Sequence, residues 1–170
     1  MQLFSNLRLA TKLLTGFFAV AIVALVVGVI GYVQIHKMAE ADSKLNQQIA
    51  VPLAQLTVIS TDFQRLRVNT RDIISAGPEG HQKFAIRVKE LFTSIDKTSA
   101  EYDKLLYSNE GKQIFNEYSQ ALIKYRDIAN QIVNLASADK IDEATLLLHG
   151  DGFTASRTLQ QAISSLVESK

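Results

Sequence analysis

The sequence contains no cysteine, no tryptophan and only two prolines. Without cysteine there is neither a disulfide framework nor a thiolate metal site, so any folded part is held by packing alone. With so little proline, long stretches carry no obligatory helix breaker. Strand-like alternation bounded by regularly spaced turn residues is also missing. The three histidines, His36, His81 and His149, lie far apart in the chain and none has a partner four residues away, which argues against a metal or haem site. G-x-S-x-G, phosphate-loop and H-E-x-x-H patterns do not occur, so no catalytic activity and no cofactor are expected.

Charge of one sign is lacking as well. The chain has 18 Lys and Arg against 17 Asp and Glu. Setting aside Arg8 and Lys12, the rest carries a net charge of −1. No clustered basic face of the kind nucleic acid requires is present. Acidic residues are absent before Glu40.

What is there first is a long apolar run, Leu13 to Ile35, 23 positions with no Asp, Glu, Lys, Arg or His. As a helix rising about 1.5 Å per residue it spans roughly 34 Å, enough for a hydrocarbon core of about 30 Å. A soluble helix keeps a polar stripe; this run is apolar all round, as lipid requires. Arg8 and Lys12 precede it, so the positive-inside tendency puts residues 1–12 in the cytoplasm and the chain from about His36 outside, with residues 13–35 as the single span. Phe17, Phe18 and Tyr32 suit the two interfaces. A cleaved signal peptide is the rival reading, but the run is longer than an ordinary signal core and no clean A-x-A site follows.

The remainder, residues 36–170, reads as helices with apolar positions alternating three and four apart. The seams are Leu45, Ile49, Pro52, Leu56, Ile59, Phe63, Leu66, Thr70 and Ile73; then Phe84, Val88, Leu91, Ile95, Thr98, Tyr102 and Leu105; then Ile114, Tyr118, Ala121, Tyr125, Ile128, Ile132 and Leu135; and finally Ser156, Leu159, Ile163 and Leu166. Helices are expected at about 36–75, 79–107, 110–136 and 141–170, the last interrupted by a loop at His149-Gly150-Asp151-Gly152. Pro52 is expected to bend the first, and a Ser or Asn near 108–109 to start the third. The expected fold is all-α: an N-terminal transmembrane helix continuing into an antiparallel up-down-up-down four-helix bundle. The fourth helix then points back at the membrane, which suggests a second span and an output domain beyond Lys170.

Arg65, Arg67, Asn69 and Arg71 make a polar, cationic cluster late in the first bundle helix. Arg67 and Arg71 share a face one turn apart and flank the seam. A guanidinium fork binds carboxylate at two points and stays charged at neutral pH. Thr154 and Thr158 offer hydroxyls near the start of the last helix, although Thr154 also suits capping after Gly152. Thr70 and Thr98 are polar seam positions that can bond the preceding turn. Tyr102, Tyr118 and Tyr125 read as core. Ala24 and Gly28 form a small-xxx-small pair in the span.

Two stretches carry a resemblance. Asn6-Leu7-Arg8-Leu9-Ala10-Thr11-Lys12-Leu13-Leu14-Thr15-Gly16-Phe17 resembles the opening of bacterial methyl-accepting chemotaxis proteins. Val51-Pro52-Leu53-x-x-Leu56 and Phe63-Gln64-Arg65-Leu66-Arg67-Val68-Asn69-Thr70-Arg71-Asp72 are similar to the first helix of their sensor bundle. The resemblance implies a homodimer in the bacterial inner membrane with its bundle on the periplasmic or extracellular side. It further implies a small-molecule ligand, or a ligand-loaded periplasmic binding protein, as partner, and a small axial slide of the last helix as the signal. Histidine kinases and cyclases carry similar bundles, and a membrane-anchored helical interaction module remains a third reading.

Overall fold

The computed structural model describes residues 9–169. The expected cytoplasmic segment 1–12 therefore lies outside the described residues, apart from the helical backbone of 9–12, as do the side chains of 41–45 and 47, including seam residue Leu45. The described residues are helical with no strand: α1 Leu9–Leu45, α2 Val51–Asp72, α3 Pro78–Asp103, α4 Asn109–Ser137, α5 Ile141–Leu147 and α6 Phe153–Glu168. The chain divides into two compact units, residues 1–46 and 47–170.

In the first unit, α1 contains one stretch, Leu13–Glu40, long and apolar enough to cross a membrane. Its large apolar side chains are exposed on every side, from Leu13 and Phe17 to Val33 and Ile35. Such a surface is stable only against lipid or other apolar helices. Near the C-terminal end of this stretch, Tyr32 stacks on His36 with ring centroids 5.7 Å apart.

The second unit is the bundle. α2 packs on α3 and α6, and α4 packs on α3 and α6, so the four long helices form a square with short antiparallel connections. Residues Asn46–Ala50, just before α2, form one wide π-type turn. Pro52 has no N–H to donate and its ring crowds the carbonyl four residues back; widening the turn before it relieves that crowding. α2 ends through a 3₁₀ turn, Ile73–Ser75. Extended Ala76 and Gly77 then lead to Pro78, which suits the first position of α3 because no N–H is needed there.

The α2 seam from Pro52 to Ile73 is buried as expected. On α3 the seam shifts late. Val88, Leu91, Ile95 and Tyr102 are buried, but Ser99 and Leu106 go inward where Thr98 and Leu105 were expected. A straight α-helix drifts by about 20° per heptad against a 3.5-residue repeat, which turns Thr98 part of the way out of the seam, and Leu106 comes inward beyond the end of the helix. α3 also stops at Asp103 rather than near Tyr107: Leu105 N–H bonds the Tyr102 carbonyl at 2.9 Å and Leu106 N–H bonds that of Asp103 at 3.1 Å, tightening the chain out of the helix.

Ser108 caps α4, its Oγ accepting from Gly111 N–H at 3.0 Å. α4 closes with Asp139 in the left-handed region at φ 59° and Lys140 N–H on the Leu135 carbonyl at 2.9 Å, a Schellman-type end. The expected loop at 149–152 is instead a wide π-type turn, Leu148–Gly152, joining α5 to α6 in one helical path. Gly152 allows this, because a Cβ there would meet the Leu147 carbonyl oxygen at 3.0 Å and Ile132 Cδ1 at 3.4 Å.

A cluster of aromatic and branched side chains fills the bundle, with Leu56, Phe63, Leu66, Tyr102, Tyr118 and Leu159 fully buried. Several polar groups inside are paired: Thr70 donates to the Leu66 carbonyl at 2.8 Å, Ser99 and Tyr118 bond at 2.8 Å, and Ser94 donates to buried Asp62 at 2.6 Å, whereas the buried Nε2 of His81 has no hydrogen-bond partner among the described residues. A second stripe on α2, away from the core, stays exposed: Val51, Ala54, Val58, Thr61, Arg65 and Val68, again three and four apart.

Candidate functional site

A cleft of about 310 Å³ opens in the bundle between the later part of α2, the middle of α4 and the wide turn leading into α6. Gln64, Arg67, Val68 and Arg71 form its α2 wall; Tyr125 comes from α4; Leu148, His149, Gly152, Phe153 and Ser156 form the opposite wall. The spacing 64, 67, 68, 71 is one helical face, so α2 delivers both guanidiniums and an amide to the same side.

Arg67 lies over the Phe63 ring, with its guanidinium carbon 5.8 Å from the centroid, and donates to Gln64 Oε1 at 3.0 Å. It forms no ion pair with a carboxylate among the described residues. Gln64 in turn donates its amide to Gln160 Oε1 on α6. Arg71 is more engaged: Nε and Nη2 both donate to Asp72 Oδ1, at 3.0 and 2.9 Å. No acidic residue lines the cleft. Tyr125 forms part of its floor, edge-on to Phe63 with centroids 5.3 Å apart. Burial pushes the Tyr125 phenol up to about 12, against smaller opposing effects of a Thr70 hydrogen bond and the Arg67 charge. It stays a neutral hydroxyl at any physiological pH.

The remaining residues singled out from sequence sit elsewhere. Arg65 pairs with Asp62 at 3.4 Å and belongs to the exposed stripe of α2. Asn69 donates to the Arg65 carbonyl of its own helix at 2.7 Å. Thr154 bonds the Gly150 carbonyl at 3.3 Å and Thr158 that of Thr154 at 3.1 Å. Thr154 therefore does not cap α6, whose first turn continues directly from the preceding one. None of these four lines the cleft. Conversely, Gln64, Tyr125, His149 and Ser156 line it without having been singled out as site residues. Gln64 was within reach of the helical pattern, three residues before Arg67. His149 and Tyr125 had no sequence signal, because the packing of α4 and the wide turn against α2 brings them there.

Neither the curated proteins nor the solved structures yield a match to this chain. The family model described as a four helix bundle sensory module for signal transduction matches residues 6–170. That span takes in the apolar helix, the bundle and the whole of the cleft, and the chain belongs to this family of sensory modules of chemotaxis receptors.

Proposed function

We propose that the bundle is the extracytoplasmic sensor of a transmembrane chemotaxis receptor and that a small carboxylate, an amino acid or organic acid, binds in the Arg67–Arg71 cleft. The single observation that carries this is a concave site with two guanidiniums and no acid in its lining. Arg67, which has no ion pair among the described residues, supplies a two-point contact for a carboxylate. Gln64 holds that guanidinium in place and is itself bonded to α6, so a ligand that re-orients Arg67 acts on α6 through one intervening side chain. The signal passes to the membrane as a displacement of α6.

The same reading makes the protein a homodimer in the bacterial cell membrane, with residues 1–12 cytoplasmic. The exposed stripe Val51, Ala54, Val58, Thr61, Arg65 and Val68 has the repeat of a parallel two-helix seam, and Val68 belongs to the cleft as well, so the second copy stands at its edge. A periplasmic binding protein carrying the solute is an alternative way of loading the same end of the bundle.

The test is a thermal-shift screen of the full chain in lipid nanodiscs against amino acids and organic acids, since a ligand of the folded form alone raises its stability. Arg67→Ala is expected to abolish the shift given by the active ligand while leaving the unliganded melting temperature unchanged. A ligand that stabilises Arg67→Ala and the parent equally would overturn the assignment of the cleft.

A further inference from the structure

His81 is an inward position of α3, one turn before Phe84 and Ala85, and is only 7 % exposed. Its Nε2 is buried and has no hydrogen-bond partner among the described residues. A buried polar atom left unsatisfied is costly, and a leucine would fill the same place without that cost. His81 also lines a cavity of about 550 Å³ where the start of α3 meets the end of α4. Pro78, Gln82 and Ala85 complete its α3 wall, and Ser137 and Asp139 form the α4 side.

We propose that this cavity is a second ligand site of the bundle, separate from the Arg67 cleft, and that it takes a small primary amine as its ammonium ion. The lining supplies acceptors: the Asp139 carboxylate, the Ser137 hydroxyl, the Gln82 amide oxygen and, in a neutral imidazole, one nitrogen of His81. An ammonium brings a positive charge and up to three donors to such a set. Neither lysine nor arginine is part of the lining, the reverse of the Arg67 cleft. Pro78 and Ala85 offer apolar surface to a short carbon chain.

The surrounding charge has the sign an ammonium needs. Residues 76–83 and 137–143 carry Glu79, Asp139, Asp142 and Glu143 against Lys83 and Lys140. Lys140 is held by Glu143 at 3.0 Å. The C-terminal end of α4 adds negative potential, and Glu79 in the first turn of α3 offsets the positive end of that helix. The left-handed backbone of Asp139, at φ 59°, sets its carboxylate at this end of the bundle.

The experiment uses the full chain in nanodiscs at about pH 8, where imidazole is ordinarily neutral and a primary amine charged. Ethanolamine and putrescine are the probes, 1-propanol and acetate the uncharged and anionic controls, and zinc chloride the inorganic cation. Affinity is read by titration calorimetry, and contact by nuclear magnetic resonance of ¹⁵N-labelled histidine. At least one amine is expected to bind and to shift the His81 signal while those of His36 and His149 stay in place; propanol and acetate are expected to do neither. His81→Leu is expected to fold and lose the binding. Asp139→Asn, which keeps a residue tolerant of the left-handed backbone, is expected to weaken it about tenfold or more. Arg67→Ala is expected to leave it unchanged. Amine binding that survives both His81→Leu and Asp139→Asn, that leaves the His81 signal unmoved, or that is lost in Arg67→Ala would overturn the assignment to this cavity. Zinc shifting the His81 signal where no amine does would overturn the ligand class, and failure of both amines to bind would overturn the proposal. None of these outcomes bears on carboxylate binding in the Arg67 cleft.

Discussion

Gly150 and Gly152 occupy the same wide turn, yet their surroundings differ. A Cβ at Gly150 meets nothing within 4 Å, whereas at Gly152 it meets the Leu147 carbonyl oxygen at 3.0 Å. Gly150→Ala is therefore expected to raise stability by about 0.5–1 kcal/mol through helix propensity. Gly152→Ala is expected to lower it by about 1–2 kcal/mol by crowding the turn. Chemical denaturation of the two variants side by side checks both signs. The buried tyrosines give a second prediction at this scale. Burial pushes Tyr118 and Tyr125 up to about 12 from the model-peptide value of 10.0, with the Ser99 bond lowering Tyr118 in part. A phenol whose folded value is raised stabilises the fold fully below its unfolded value and loses that contribution as pH climbs towards the folded one. Stability is thus expected to fall between pH 10 and 12, followed by circular dichroism under urea. Replacing Tyr125 by Phe is expected to flatten the fall.

Single elements show how far a pattern in the chain survives folding. The α2 seam was legible from Pro52 to Ile73 because both of its neighbours hold it to one side. The α3 seam was legible for Val88, Leu91, Ile95 and Tyr102; Ser99 went inward in place of Thr98 as the helix drifted against a strict heptad, and Leu106 in place of Leu105 where the chain had already left the helix. Capping was legible too: Ser108 stands where a helix start was expected, and its bond to Gly111 N–H satisfies one otherwise orphaned donor. Ser108→Ala is expected to destabilise the bundle by about 1 kcal/mol, measurable as a lower denaturation midpoint with an unchanged slope. The turn at 148–152 was misread because two glycines suggest a loop; the neighbouring helices supply enough packing to keep them helical.

The whole molecule joins an apolar helix to a bundle with its own core. α1 exposes its apolar side chains on every side, so full-length protein is expected to remain in the membrane fraction through alkaline carbonate extraction. Val23→Arg together with Val27→Arg adds about 2.5–3.5 kcal/mol of insertion cost per residue near the middle of the span. The double variant is expected to leave that fraction, read by immunoblot after extraction. The bundle has no disulfide to rely on, which makes its core residues the source of its stability.

By itself the sequence determined that the chain is helical, that one helix is too apolar for water, and which residues of α2 and α6 face inward. Hydrophobic periodicity and the two prolines act over a few turns and need no knowledge of partners. Only the tertiary structure decided which polar residues meet. Arg67 and Arg71 were visible as a pair because one helix face holds them. Tyr125 and His149 are about 55–80 residues further along the chain, and the way the helices pack, which no local pattern encodes, sets them around the same cleft.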